Sequence, residues 1–400
     1  MELILQMGHG MQSLACDLVR DWGGGTVILS PVNIRENRVV QYAKSLESVG
    51  GSVLFDPQLF FPKDPRDQLA EYSYWPKDGT TTLTGDSSTV MFEELLRINN
   101  RLQTKWCILP CPQMREQDFD YCMNLLSNGA EYFHRHHRDR LLATACIYPE
   151  VLRSDSSVEI LYSGLSRLDV DGYYLILEPP NGEYIVSDYL WMAGALRLIS
   201  SLRLEERVVV IGYANHQGLS YALAGANAIA SGNFMNTRAF GPARFKPKDD
   251  DTKNRSVWYY CPSAMSEFKA TALDVAMRRG FLGEFAPVES MANEYSAMLF
   301  RGAYPSSTNY RERNSFMHYL HCLRVQCHML TDDDYSRLVN HYGFLLDTAE
   351  RRIMELRDKG FRGQNRDFAQ GIDVNRVALA SNEQDYGLRL RLSWSSLPNL

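Results

Sequence analysis

The sequence predicts a (β/α)8 barrel, a ring of eight parallel strands wrapped by helices, followed by a mainly helical C-terminal domain. Eight short aliphatic runs recur over about the first 240 residues, and helix-like segments lie between most of them. The runs are aliphatic rather than alternating, which is typical of parallel strands buried on both faces. They begin at Met1, Thr26, Ser52, Trp106, Leu141, Gly172, Arg207 and Asn227.

The segments between the runs are amphipathic, with apolar residues at three- and four-residue steps. Residues 91–102, 118–127 and 188–202 show this spacing, which predicts helices on the outside of the barrel. A barrel of this kind takes about 250 residues and holds its chemistry at the carboxyl ends of its strands. The residues that directly follow each run are therefore the candidates for function.

A polar, charged segment at residues 240–255 predicts the boundary between a barrel at 1–245 and a C-terminal domain at 256–400. Helical periodicity covers 263–279, 288–300, 310–329 and 334–359, and the final RLRLSWSS predicts a short strand. The insertion at 60–88 follows the third strand on the active face. Loops of that length are more often functional or disordered than inert.

Composition indicates a folded protein of enzyme size. The chain has 400 residues, 45% of them hydrophobic, and its net charge of −6 gives no general attraction to nucleic acid. A polyanion would therefore need a local basic patch. Eight cysteines without a CxxC pair, no secretory signal and no long apolar run predict a cytoplasmic protein that does not associate with membranes.

Two carboxylates follow predicted strands on opposite sides of the ring. Asp56 ends the third strand in LFDPQLFFP, and Glu178 ends the sixth in GYYLILEPP. A carboxylate at the catalytic rim is the group that a nucleophile or a general acid or base requires. The sequence therefore predicts Asp56 and Glu178 as a catalytic pair, although each could also cap its own loop. We expect both to open into one cavity beside Arg238.

Polar residues are densest after the seventh and eighth strands, where this fold usually binds phosphate. Glycines in both segments would let backbone amides approach a ligand, and an arginine there suits a phosphate or carboxylate. His9, between two glycines after the first strand, could bind substrate or move a proton. The predicted substrate-binding residues are His9, Asn215, His216, Ser231, Gly232, Asn233 and Arg238.

Two groups of histidine and cysteine raise the question of a metal. His134, His136 and His137 precede the fifth strand, which places them on the face opposite the active one, and a solvated basic turn is the favoured interpretation. A second set joins Cys261 to five residues of the predicted helix at 310–329, whose side chains point in several directions. It comprises Cys261, His318, His321, Cys322, Cys327 and His328. Because zinc needs four converging ligands, we expect no metal and no other cofactor.

Two motifs resemble the tRNA-guanine transglycosylase family, most closely its DNA-directed deazaguanine relatives. LFDPQLFFP, preceded by Gly50 and Gly51, is similar to the segment that carries a catalytic, substrate-binding aspartate, and Asp56 occupies the matching position. GANAIASGNFMNTRAF is similar to the late segment with a Thr-Arg pair, matched here by Thr237 and Arg238. The resemblance covers the barrel only. The family's nucleophile falls at Gly232, and its clustered zinc ligands are missing.

The resemblance implies base exchange, in which a carboxylate displaces a purine from ribose and a deazapurine replaces it. Asp56 or Glu178 would act as nucleophile, and DNA or tRNA would be the partner. Basic residues of the C-terminal domain would hold phosphates, although a solvated helix end explains them as well; they are Arg351, Arg352, Arg357, Lys359, Arg362 and Arg366.

Two other hypotheses remain open from the sequence. One is a catalytically inactive barrel that binds a nucleotide or nucleic acid as a subunit of a larger assembly, with protein partners on the C-terminal helices. The other is an unrelated barrel enzyme acting on a phosphorylated small molecule. That enzyme would bind phosphate at backbone amides near Gly218 and Gly232.

Overall fold

The computed structural model describes residues 1–76, 83, 85–246 and 256–400. All eight predicted strands are present, and each overlaps its predicted aliphatic run. They are β1 (Glu2–Gln6), β2 (Gly25–Leu29), β3 (Gly51–Phe55), β4 (Cys107–Leu109), β5 (Leu141–Ile147), β6 (Gly172–Leu177), β7 (Val208–Gly212) and β8 (Ala228–Ser231).

The strands form one curled parallel sheet in barrel order, β3-β2-β1-β8-β7-β6-β5-β4. A two-residue strand, Gln113–Met114, also pairs with the end of β5. The edge strands β3 and β4 approach each other within 8 Å between Cα atoms, but no backbone pairing joins them within the described part of the chain. The predicted α/β class and (β/α)8 strand order are therefore confirmed, with one seam left unpaired.

Helices cover the outside of this sheet. They are α1 (Gln12–Asp21), α2 (Glu36–Glu47), α3 (Asp67–Ala70), α4 (Asp86–Leu102), α5 (Phe119–Arg135), α6 (Pro149–Leu152), α7 (Asp155–Leu165) and α8 (Tyr189–Leu204). The helices predicted at 91–102, 118–127 and 188–202 correspond to α4, α5 and α8. A 3₁₀ helix, His216–Ala224, takes the place of an α-helix after β7.

The C-terminal region contains a β-hairpin and five α-helices among the described residues. They are β9 (Trp258–Cys261), β10 (Ser266–Lys269), α9 (Ala270–Arg278), α10 (Glu294–Ala297), α11 (Glu312–Met329), α12 (Tyr335–Asp358) and α13 (Ala369–Ser393). Helix α11 packs on β1, on α1 and on the 3₁₀ helix. It thus fills the place of the eighth outer helix of the barrel.

Two predictions in this region are wrong. The segment 263–269 is not part of the predicted α-helix, because Ser263 and Ala264 belong to a 3₁₀ turn and the last four residues pair with β9 in the hairpin. The final RLRLSWSS is not a strand, because α13 continues to Ser393. A strand would place Leu388, Leu390 and Leu392 on one face, whereas only Leu390 is buried and the other two are 68% and 77% exposed. Packing against the barrel therefore selects a helix despite the alternating pattern.

One continuous core joins the two predicted halves of the chain. It extends from Leu3 on β1 to Ala378 on α13, and α13 packs along α8, where Asn382 and Ser200 are 3.0 Å apart. The predicted boundary between 1–245 and 256–400 falls on residues outside the described ranges, so the division stays a prediction. Across the described part of the chain, no helix combines the length and apolarity that a membrane span requires.

Candidate functional site

Asp56 lies at the carboxyl end of β3 and points into the bore of the barrel, where it has no exposed surface. Its Oδ2 accepts hydrogen bonds from the phenols of Tyr213, at 3.0 Å, and Tyr174, at 3.3 Å. Its Oδ1 accepts the backbone N–H of Gln58 at 3.0 Å. Three donors therefore converge on one carboxyl group, two of them directly after β3 and β7 and one from within β6.

The bore around Asp56 is polar, whereas barrel interiors are usually filled by Val, Ile and Leu. Tyr174 crosses it, and its hydroxyl lies 3.0 Å from Gln6 Oε1 as well as 3.3 Å from Asp56 Oδ2, so its one proton is shared between the two acceptors. Its hydroxyl lies so close to Gly212 that a Cβ there would be only 2.5 Å away. Gln6 Nε2 and Thr144 Oγ1 are buried without a hydrogen-bond partner among the described residues. Because such groups are costly to bury unpaired, each needs a partner that the described residues do not supply, either a buried water or a polar ligand.

Burial raises the pKa of Asp56 to about 7, because desolvation outweighs the hydrogen bonds from Gln58, Tyr213 and Tyr174 and the nearby charge of Arg244. A carboxyl group with this pKa can both donate and accept a proton at neutral pH. The backbone around it is also strained: Gln58 and Tyr213 have positive φ angles of 56° and 54°. Such strain tends to accumulate at functional sites.

Sequence reasoning missed the side chains that surround Asp56, namely Gln6, Gln58, Thr144, Tyr174, Tyr213 and Arg244. The Gln58 side chain is buried, donates to Ser30 Oγ and to Tyr213 at 2.9 Å, and accepts from the backbone of Val32. Arg244 donates to the carbonyl of Met7 at 2.9 Å, and its Nε has no partner within the described ranges. The adjacency of Gln58 to the Asp-Pro pair was a usable signal, but nothing in the sequence distinguished Arg244 from a linker residue.

An aromatic cover, defined by Phe60, Phe240 and Phe245, closes the bore above Asp56. The three rings pack edge-on or stacked with centroids 5.0 to 5.4 Å apart, and each also contacts the ring of Tyr213. The backbone N–H of Arg66 donates to the carbonyl of Phe245 at 2.8 Å and so ties the insertion after β3 to the segment after β8. Tyr213, which contacts all three rings, also donates to Asp56 and so joins the aromatic cover to the buried carboxyl group.

Glu178 lies at a different depth from Asp56. It is half-buried at the rim, accepts a hydrogen bond from Gln113, and lines an open groove with an empty volume of about 1230 Å³. Burial raises its pKa, as does the charge of Glu150, against the effects of Gln113, Arg115 and Lys246. Burial raises the pKa of the Cys146 thiol, and the charges of Glu178 and Asp56 raise it further. Glu178 lies in the open groove and Asp56 is fully buried, so the two carboxyl groups lie at different depths.

Arg238 does not join the two acids. It is 2% exposed, donates to the carbonyl of Gly232 at 2.8 Å and pairs with Glu267 at 3.3 Å. Arg366 pairs with the same carboxylate at 2.7 Å, and the guanidinium of Arg238 lies 3.4 Å from the ring centroid of Tyr319. The expectation of one cavity shared by Asp56, Glu178 and Arg238 is therefore corrected, because the ion pair with the C-terminal hairpin holds Arg238 elsewhere.

The remaining predicted binding residues have mainly structural contacts. Asn215 caps the 3₁₀ helix through the N–H of Gln217, at 2.8 Å, and donates to the carbonyl of Tyr184. His216 is fully buried among the rings of Tyr260, Phe368 and Tyr184, and burial lowers its pKa to about 4.

Ser231 is fully buried, whereas His9 is exposed at the mouth. Asn233 is also buried and donates to the carbonyl of His9 at 2.9 Å. These observations do not show that any of the residues binds a ligand. The binding roles of the predicted residues therefore stay predictions; they are His9, Asn215, His216, Ser231 and Asn233.

Gly232 cannot carry the nucleophile that the family pattern places there. A Cβ at this position would overlap the carbonyl oxygen of Gln6 and lie 2.5 Å from Thr237 Oγ1. We expect Gly232→Ala to lower the free energy of unfolding by about 1–3 kcal/mol through overpacking. Chemical denaturation can measure the loss. Gly241→Ala is the control, because nothing lies within 4 Å of a Cβ there; equal stability of the two variants would contradict the close packing.

The histidine and cysteine sets do not converge. His134 contacts the carbonyl of Asp169 at 3.0 Å on the surface, and His318 is buried beneath Tyr260, contacting its carbonyl at 2.8 Å. Across the described ranges, no group of three or more His, Cys, Asp or Glu side chains has the geometry to hold a metal ion.

No protein-family model matches the sequence, and no curated protein matches it. Solved structures similar to the chain include a GH18 chitinase from Pseudoalteromonas aurantia (10% identity, TM-score 0.39, covering 59% of this chain and 95% of that one). Another is the 3-dehydroquinate dehydratase from Aquifex aeolicus VF5 (13% identity, TM-score 0.35, covering 62% of this chain and 94% of that one). A third is a xylose isomerase-like TIM barrel/4-hydroxyphenylpyruvate dioxygenase fusion protein (13% identity, TM-score 0.34, covering 60% of this chain and 39% of that one). The fold assignment therefore rests on the strand order of the chain itself.

Proposed function

We propose that this chain is a base-exchange enzyme that recognises a purine or deazapurine attached to ribose. The observation that carries the proposal is the buried carboxyl group of Asp56, set among hydrogen-bonding side chains beneath an aromatic cover. Enzymes that read a single base commonly hold it between aromatic side chains and hydrogen-bond its polar edge. The unpaired Gln6 Nε2 and Thr144 Oγ1 supply donors for the acceptor atoms of a base.

The different depths of the two acids divide the chemistry between them. A base inserted beneath the aromatic cover would meet Asp56, and its ribose would remain at the rim beside Glu178. Glu178 then attacks C1′ as the bond from C1′ to the base nitrogen breaks, and protonated Asp56 gives its proton to the leaving base. The incoming base returns a proton to Asp56, attacks C1′ and releases Glu178. Bonds and protons balance over the cycle.

The other hypotheses have less support in the contacts. A phosphate site after β7 and β8 depended on Arg238 and on amides near Gly232, but Arg238 is already paired with Glu267. A barrel that binds without catalysing is compatible with the closed cover. It differs from an enzyme only in whether the base is exchanged. The free thiols of all eight cysteines fit the cytoplasmic location that the sequence predicts.

Incorporation of labelled base tests the proposal. The protein is incubated with labelled guanine or 7-deazaguanine and, separately, with guanosine, tRNA or double-stranded DNA, and the label in each acceptor is counted. We expect incorporation by the wild type and none by Asp56→Asn or Glu178→Gln. Glu47→Gln, an exposed charge change at the opposite end of the barrel, should keep full activity.

Each outcome has a distinct meaning. Incorporation that survives in Asp56→Asn would contradict the role of Asp56. Binding of guanine without incorporation would overturn the exchange step and leave base recognition. If the wild type binds neither base, the proposed function is wrong.

A further inference from the structure

The groove at the mouth is acidic. Four carboxylates line it, those of Glu150, Glu178, Glu183 and Asp188. Arg153 is the one cationic side chain among its described lining residues, and it is paired with Asp188 at 2.8 Å. The groove therefore has an uncompensated negative charge directly beside the rim carboxylate.

Two cations face the same rim from other elements. Arg115 lies over the ring of Tyr148, 4.4 Å from its centroid, and Lys246 lies over Phe61 at 5.3 Å. Both lower the pKa of Glu178, whereas Glu150 raises it. Including them, four acids still outnumber three cations around the rim.

We propose that this acidic rim selects a base presented as an uncharged nucleoside and discriminates against a base in a polynucleotide. The inference rests on the proposed function, since it concerns what reaches Asp56. The proposed function places the base in the bore, beside the fully buried Gln6 amide with its unpaired Nε2. A nucleic acid entering the bore would bring its flanking phosphates against Glu150 and Glu183, where like charges repel. The resemblance to transglycosylases implies a nucleic-acid substrate, whereas the charges around the groove favour a nucleoside substrate.

The inference predicts an order of affinities. We expect the wild type to bind guanosine at least about tenfold more tightly than guanosine 5′-monophosphate or a short single-stranded oligonucleotide containing one guanine. The difference in affinity between guanosine and the two phosphate-containing ligands should become smaller from about 50 mM to about 300 mM salt, because added salt screens exposed charges. Calorimetry with the purified full-length chain can measure all three ligands.

A charge-neutralising variant separates electrostatics from shape. Glu150→Gln with Glu183→Gln should raise the affinity ratio of oligonucleotide to guanosine by about tenfold at low salt. The matched control is Glu47→Gln with Glu131→Gln, which removes two exposed charges near the ends of α2 and α5 and should leave the ratio unchanged.

The possible failures are distinguishable. Wild-type protein that binds guanosine but binds the oligonucleotide more tightly would overturn this inference and leave the proposed function standing. A ratio that is the same in the rim variant and the wild type would also overturn it. Failure to bind any of the three ligands would overturn the proposed function together with the inference.

Discussion

Asp56→Asn should be more stable than the wild type at pH 8 and no more stable at pH 4. The pKa of Asp56 is raised to about 7 by burial in the folded state and returns to its ordinary value near 4 on unfolding. Between these values the folded protein binds the extra proton, so wild-type stability falls as pH rises from about 4 to about 7 and is then level. The neutral asparagine avoids this cost, which amounts to about 4 kcal/mol at most above pH 7.

The contacts around Asp56 can accept an asparagine. Its oxygen can still accept the N–H of Gln58, and its amide can donate to Tyr174 while that phenol donates to Gln6. The phenol of Tyr213 loses the acceptor it has on Asp56, and this loss offsets part of the gain. Urea denaturation from pH 4 to pH 8 measures the difference between variant and wild type. Asp64→Asn, an exposed change on the same loop, should give a difference that does not depend on pH. A variant less stable than the wild type at pH 8 would contradict the buried, strained carboxyl group.

Glu267→Gln should produce the largest loss of stability among these variants, about 3–5 kcal/mol. Glu267 is 2% exposed and lies between Arg238 and Arg366, with the phenol of Tyr184 donating at 2.8 Å. Burial opposes its ionisation, but the two guanidinium groups hold its pKa below the usual value. Removing its charge leaves two largely buried cations unpaired, which costs more than the intact cluster contributes.

The pH dependence of this cluster has the opposite sign from that of Asp56. A carboxylate with a lowered pKa contributes stability above its unfolded pKa, near 4, and loses it as pH falls through the folded value. The loss of stability of Glu267→Gln relative to the wild type should therefore be largest at pH 7 and become smaller at acidic pH. Glu284→Gln is the control, because Glu284 also pairs with two cations, Arg352 and Lys359, but is partly exposed. Glu284→Gln should lower the free energy of unfolding by less than about 1 kcal/mol. An equal loss of stability in Glu284→Gln and Glu267→Gln would contradict the account.

The strand order and the placement of Asp56 were predictable from the sequence because both depend on local signals. Short aliphatic runs fix parallel strands, and the residue after such a run lies at the active face. The burial of Asp56 and its aromatic cover were not predictable in this way. Phe60 and Phe240 meet only when loops after β3 and β8 come together, and no local pattern encodes that contact.

Long-range pairing also explains the errors. Arg238 resembled a phosphate ligand, because an exposed arginine after a glycine-rich turn usually is one. Its side-chain partners are Glu267, in the hairpin after residue 255, and the ring of Tyr319 on α11, so its contacts are set by residues far along the chain. The alternating RLRLSWSS likewise predicted a strand until packing against α8 placed it in α13.

The affinity for guanine as a function of pH tests the central claim, that Asp56 is the protonatable group that meets the base. The ionised carboxylate accepts the N–H groups of guanine, so wild-type affinity should rise by about tenfold or more from pH 5.5 to pH 8.5, with its midpoint near pH 7. Asp56→Asn should bind weakly with no such transition. Equal affinity and an equal pH profile in the two proteins would contradict the account.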